Sequence, residues 1–210
     1  MRNAVGLLVM VGLLSGLTGC EDDGGGGAGG GGHDFGPNDP DLYVVMGDSI
    51  SAGGGFTWPS RLSAMLGKPV ANEASGGQHA TEGAARVDGV LANYQPGYLL
   101  VLYGANDVIT GASSSTIVES LRHMVQAAKA NQTIPVIATL TPMTEGHSIF
   151  DGGVDAVNPE IVQMGQEEGV AIVRLDQAFG DGTAYLEPDG LHPNDAGQQR
   201  IAEAFYDAVN

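Results

Sequence analysis

Five short apolar runs, rich in β-branched residues, alternate with longer stretches of helical period, and this alternation limits the fold more than any other feature. The runs are Leu42 to Met46, Pro69 to Ala74, Tyr98 to Tyr103, Ile134 to Leu140 and Val170 to Leu175. Between and after them, Trp58, Leu62, Met65 and Leu66 share one helix face, and Ala84, Val87, Leu91 and Tyr94 a second. Ile117, Leu121, Met124, Val125 and Ala128 form a third, and Ile201, Phe205, Ala208 and Val209 a fourth. Asn158 followed by Pro159 reads as an N-cap with proline at the first helical position, and Gly169 closes that helix. Continuously apolar strands alternating with helices make a parallel sheet covered on both faces. Five strands and five helices predict an α/β fold, a flavodoxin-like three-layer α/β/α sandwich with a five-stranded parallel sheet of order 2-1-3-4-5. The loops after strands one, two and three then share one sheet edge with the loop before the last helix. No internal repeat and no second domain is visible.

The N-terminal part reads differently. Residues 1–19 look like an export signal, with Arg2 followed by an apolar stretch from Ala4 to Leu17. That stretch is shorter than the roughly 18 to 20 residues a stable bilayer span needs. It ends in Leu17-Thr18-Gly19-Cys20, which resembles a bacterial lipobox, and Cys20 is the only cysteine of the chain. The expectation is a lipoprotein, lipidated at Cys20 and held at a cell-envelope membrane facing the periplasm or the surface. An ordinary secretory signal with an incidental cysteine is the alternative. Residues 20–40 read as a flexible linker, because Gly24 to Gly32 is glycine throughout except Ala28. A phosphate-cradling loop is excluded, since no strand precedes this run and no Lys-Ser/Thr follows it. Residues 41–210 form the folded domain, large enough for a proper core and with no cysteine for a disulfide.

Charge removes some partners. The formal net charge is −17, from 8 Lys and Arg against 25 Asp and Glu, which argues against nucleic acid or anionic lipid headgroups.

The segment Gly47-Asp48-Ser49-Ile50 places a serine where the first strand turns into a loop. Such a serine becomes a nucleophile if the chain supplies a base, an orienting carboxylate and oxyanion donors. Five histidines are available as base: His33, His79, His123, His147 and His192. His33 lies in the linker and His123 sits mid-helix. His147 lies in the long loop after strand four and His79 follows Gly76-Gly77-Gln78, each a pocket-border or a surface residue. His192 occurs in Pro188-Asp189-Gly190-Leu191-His192-Pro193-Asn194-Asp195, ahead of the last helix. Asp189 can fold onto the imidazole Nδ1 across that turn and leave Nε2 free to take the serine proton. A helix-initiating turn capped by Asn194 or Asp195 is the alternative, and two ligands without a third make a metal site improbable. Asn72 to Gly77 after strand two brings a glycine N–H near the site, and Gly104-Ala105-Asn106-Asp107 after strand three brings a side-chain amide.

From Leu42 to the C-terminus the chain resembles the SGNH hydrolases, also called GDSL-type esterases and lipases, and within them the small bacterial lysophospholipase/thioesterase-like esterases. The resemblance rests on Gly47-Asp48-Ser49-Ile50-Ser51-Ala52-Gly53, Asn72 to Gly77, Gly104-Ala105-Asn106-Asp107 and Asp189-Gly190-Leu191-His192-Pro193. It implies Ser49 as nucleophile, His192 as base and Asp189 as acid, with an oxyanion hole of Ser49, Gly77 and Asn106. Gly76 and Gly77 are adjacent, so a one-residue shift in that turn changes which N–H donates, and Ala74 stands where the family usually has a glycine or serine-like residue. The resemblance further implies an ester hydrolase needing neither metal nor cofactor. There is no Gly-x-Ser-x-Gly elbow, which argues against the larger α/β-hydrolase fold.

The expected substrate is a small ester: short to medium acyl esters, lysophospholipids or thioesters, acting through an acyl-enzyme on Ser49. Deacetylation of, or acyl transfer to, envelope sugars is the alternative reading, as is a non-catalytic ligand-binding lipoprotein. The expected state is a monomer. Ala52-Gly53-Gly54-Gly55-Phe56 leaves access to the serine open, and Met143, Ile149 and Phe150 form an acyl wall or cap the sheet.

Overall fold

The computed structural model describes residues 32–53 and 56–210. Residues 1–19, Cys20 and all but the last residue of the glycine run lie outside the described residues. Residues Asp34–Asn210 make up one compact unit.

Five parallel strands form the sheet: β1 (Asp39–Gly47), β2 (Val70–Asn72), β3 (Pro96–Leu102), β4 (Ile134–Ala138) and β5 (Ala171–Val173). They run in the order β2-β1-β3-β4-β5, as the strand–helix alternation predicts. β1 and β3 pair over the longest register, from Tyr43 opposite Tyr98 to Gly47 opposite Leu102, and both are apolar enough to be buried on two faces. The long helices are α1 (Trp58–Leu66), α2 (Ala80–Tyr94), α4 (Ser114–Ala130), α5 (Asp151–Glu168) and α7 (Asp195–Val209). Two short helices not expected from periodicity, α3 (Ala105–Thr110) and α6 (Leu175–Phe179), begin within three residues of the ends of β3 and β5. They are too short for a 3.6-residue pattern to show.

Several boundaries differ from the sequence reading, and two of them have a clear physical cause. β1 begins at Asp39, inside the segment read as linker, because the chain is already tied down there: Asn38 is buried and its amide donates to the Asn131 carbonyl at 2.6 Å. Asn158 is not an N-cap. α5 starts seven residues earlier at Asp151 and carries Pro159 in its interior. Val154, Val157, Ile161 and Met164 are all buried on its inner face. Burying these four side chains, each worth about 1.5–3 kcal/mol, offsets the roughly 3 kcal/mol an interior proline costs. The Asn158 side chain instead accepts from Leu140 N–H at 2.8 Å and donates to Leu140 C=O at 3.1 Å, satisfying the backbone beyond the end of β4.

The packing that matters for the site lies between α1 and α7. Trp58, fully buried, stacks on Phe205 with ring centroids 4.5 Å apart, and its backbone N–H donates to Gln198 Oε1 at 2.7 Å. The loop leaving β1 is thereby fixed to the helix that follows the His192 turn.

Candidate active site

β1 ends at Gly47, where a Cβ would fall 2.6 Å from Ser51 Oγ and 2.8 Å from the Leu102 carbonyl, so only glycine fits. The chain turns there through Asp48, which is buried and whose Oδ1 accepts the Ile50 N–H at 3.0 Å. Ser49, half-buried at the top of this turn, has its Oγ 3.0 Å from His192 Nε2, although 143 residues separate the two.

The Asp189–His192 turn is heavily cross-linked. Asp189 Oδ2 lies 2.6 Å from His192 Nδ1, while Oδ1 accepts the backbone N–H groups of Leu191 and His192 at 2.9 and 3.0 Å. Burial would raise the Asp189 carboxyl, but the bonds from the His192 side chain and these two N–H groups outweigh it and lower the group to about 2. A carboxylate only accepts, so Nδ1 carries the imidazole proton and the lone pair of Nε2 points at the serine hydroxyl. Gly190 sits at φ +73, and a Cβ there would lie 1.9 Å from the Thr144 carbonyl oxygen. Thr144 N–H donates to the Gly190 carbonyl at 2.8 Å and the His147 ring lies 2.6 Å from the Asp189 carbonyl, so the loop after β4 clasps the turn. Asn194 caps α7 by accepting from Gly197 N–H at 2.9 Å. The helix-initiating turn and the Asp–His pair are therefore one object, not alternatives.

The loop after β2 approaches from the other side. Ser75 N–H donates to the Gly47 carbonyl at 2.9 Å, and a Cβ on Gly76 would stand 3.8 Å from Ser49 Cβ. Gly77 follows at φ +78, a conformation that suits glycine. Asn106, at the start of α3, donates its amide to the Gln78 carbonyl at 3.0 Å and so joins the same loop. Its neighbour Asp107 is buried and accepts the Ala80 N–H at 2.9 Å, holding the N-terminus of α2 against α3.

The remaining candidates sort out as follows. His79 starts α2, with its N–H on Glu82 Oε2 at 2.8 Å and its Nε2 3.1 Å from Thr110 Oγ1. His123 lies within α4. In the loop after β4, Met143 is buried in the core, Phe150 packs partly on the core, and Ile149 is 82% exposed. Two of the three apolar residues of that segment therefore pack into the core. The local pattern marks Trp58 only as a helix-face residue and gives Gln78 and Arg86 no role, because their partners come from distant elements.

A doubly covered parallel sheet with an Asp–His–Ser relay at its strand ends defines a hydrolase-type site. The GDSL-like Lipase/Acylhydrolase family model matches residues 45–200, and the chain belongs to that family. It is 27% identical over 174 residues to the thioesterase 1/protease 1/lysophospholipase L1 of Escherichia coli, covering 78% of this chain and 80% of that protein. It is 26% identical over 171 residues to the esterase TesA of Pseudomonas aeruginosa, covering 76% and 83%. In structure it superposes on an acetylxylan esterase from Geobacillus stearothermophilus with a TM-score of 0.72 at 19% identity, covering 82% of this chain and 95% of that one. The three-layer fold is thus that of the SGNH hydrolases.

Proposed function

We propose that this chain is a serine esterase that hydrolyses carboxylic esters through an acyl-enzyme on Ser49. The observation that carries the reading is the unbroken relay from Asp189 through His192 to Ser49, at 2.6 and 3.0 Å. Ser49 Oγ attacks the acyl carbon while its proton passes to His192 Nε2, and Asp189 stabilises the imidazolium that results. The negative charge on the former carbonyl oxygen is met by the N–H groups of Ser49 and Gly77 and the amide of Asn106. Collapse of the tetrahedral species breaks the bond to the leaving alcohol, which takes the proton from His192. Water then attacks the acyl-enzyme, giving its proton to the same nitrogen, and the carboxylic acid leaves as Ser49 is regenerated.

The proposed substrates are short to medium acyl esters, with lysophospholipids and thioesters in the same class. The E. coli thioesterase and lysophospholipase and the P. aeruginosa esterase support that choice. A second reading, removal of acetyl groups from envelope sugars, draws on the likeness to the acetylxylan esterase and on the openness of the site. The side chains of His192 and Asp189 are 42% and 41% exposed, which suits a bulky ester-bearing polymer. Residues 1–19 are proposed as an export signal, Cys20 as the lipidated anchor to a cell-envelope membrane, the glycine-rich segment after it as the tether, and the folded part that includes β1 from Asp39 onward as a monomeric catalytic domain. Turnover of p-nitrophenyl esters of increasing chain length, beside release of acetate from acetylated xylan, tests the proposal. Hydrolysis of the short esters by wild type and its loss in Ser49→Ala are expected; equal rates in the two proteins would contradict it.

A further inference from the structure

Gln78 is a half-buried residue one position past Gly77, and it ties together four parts of the molecule. Its backbone carbonyl accepts the Asn106 amide at 3.0 Å. Its side-chain Oε1 accepts from Arg86 Nε at 3.1 Å and from the Tyr103 hydroxyl at 3.1 Å. Arg86 in turn donates to the Tyr103 hydroxyl at 2.9 Å and to the Glu73 carbonyl at the start of the same loop. The Glu73 carboxylate lies 3.5 Å from Arg86 as well. Tyr103 is fully buried, and a Cβ on Gly83 would fall 2.7 Å from its ring, so the ring has no room to move.

We infer that Gln78 is a positioning residue for the oxyanion site, setting the orientation of the Asn106 carboxamide; this deepens the esterase reading and rests on it. A side-chain amide has a donor end and an acceptor end, and a rotation of half a turn about χ2 exchanges them. With the Gln78 carbonyl in place, the NH2 end is held on that side and one N–H remains for the developing oxyanion. Without it, the amide is free to present Oδ1, which repels an oxyanion instead of binding it. The backbone alone holds this carbonyl weakly: Gln78 N–H reaches the Ser75 carbonyl only at 3.3 Å, and Gly77 is intrinsically permissive. The side-chain anchor to Arg86 and Tyr103 supplies the missing restraint. The arrangement keeps the donor geometry prepared before substrate arrives, which is where electrostatic catalysis gains most.

A double-mutant cycle on the whole domain tests this, reading kcat and KM for p-nitrophenyl acetate in wild type, Gln78→Leu, Asn106→Ala and the pair. Gln78→Leu should lower kcat by about 10-fold or more with KM nearly unchanged. Gln78→Glu, which keeps the acceptor oxygen beside Arg86, should restore most of that loss. Asn106→Ala should lower kcat by about 10²–10³-fold, and adding Gln78→Leu to it should cost less than about 3-fold more, because both act through one amide. An equal loss from Gln78→Leu in both backgrounds, a change confined to KM, or no loss at all would overturn the inference. An undiminished kcat in Asn106→Ala would instead remove the oxyanion reading beneath it. Should Gln78→Leu prove too unstable to purify, Tyr103→Phe deletes one of the two donors to Oε1 and runs the same cycle. The same non-additivity is expected there, and full additivity would overturn the inference equally.

Discussion

The indole Nε1–H of Trp58 donates to Ser51 Oγ at 3.1 Å, two residues beyond the candidate nucleophile. Its ring stacks on Phe205 of α7, the helix that begins just after His192. One side chain therefore spans the two segments that must meet for Ser49 and His192 to touch. Trp58→Ala should destabilise the domain by about 3–5 kcal/mol. Trp58→Phe keeps a ring but leaves the buried Ser51 hydroxyl without this donor, at a cost of about 1–3 kcal/mol. Urea denaturation measures both, and equal stability of the three proteins would show that the bridge carries no energy.

Asp48 is buried within the nucleophile turn, with Oδ2 lacking a hydrogen-bond partner among the described residues. Burial raises this carboxyl from 3.8 to about 6, with Asp107 adding to the rise and the Ile50 N–H and His192 opposing it. Between about pH 3.8 and 6 the native state thus holds a proton that the unfolded chain has released. The resulting contribution to stability is intact below about 3.8 and is lost as pH rises through about 6. Asp48→Asn removes that loss while keeping an acceptor for Ile50. Its stability relative to wild type should therefore be greater at pH 7 than at pH 4, by on the order of 2 kcal/mol. Denaturation at the two pH values checks this, and a pH-independent difference would contradict it.

Asp189 behaves in the opposite sense. With its carboxyl lowered to about 2, its stabilising contribution is present above the ordinary 3.8 and lost as pH falls through about 2. It is ionised wherever the enzyme is assayed, so it should leave no inflection in a rate profile above pH 4. Asp189→Asn should lower kcat by about 10²–10⁴-fold, because it removes the carboxylate that holds His192 Nδ1. An unchanged kcat in Asp189→Asn would remove Asp189 from the relay.

Most of the sheet was legible because apolar periodicity is local: β1, β3 and β4 lie within or close to their runs, and the order follows from strand–helix alternation. The four motif blocks were legible for the same reason, each being a few consecutive residues. The errors arose where tertiary partners outvote local preference. Asn158-Pro159 has the local signature of a helix start, yet the Leu140 backbone claims the Asn158 amide and α5 runs through. Gln78 carries no local signature, because its partners Arg86, Tyr103 and Asn106 come from α2, from the residue after β3 and from α3. The apolar run Val170 to Leu175 predicts strand to its last residue, but Leu175 opens α6.

The central claim, that Ser49 is made nucleophilic by His192 under the control of Asp189, is tested most directly by intact-mass analysis of the domain treated with a fluorophosphonate. The account predicts one adduct per chain, located on the peptide containing Ser49, with labelling abolished in Ser49→Ala and strongly slowed in His192→Ala. An adduct on another residue, or equally fast labelling with His192 replaced, would contradict it.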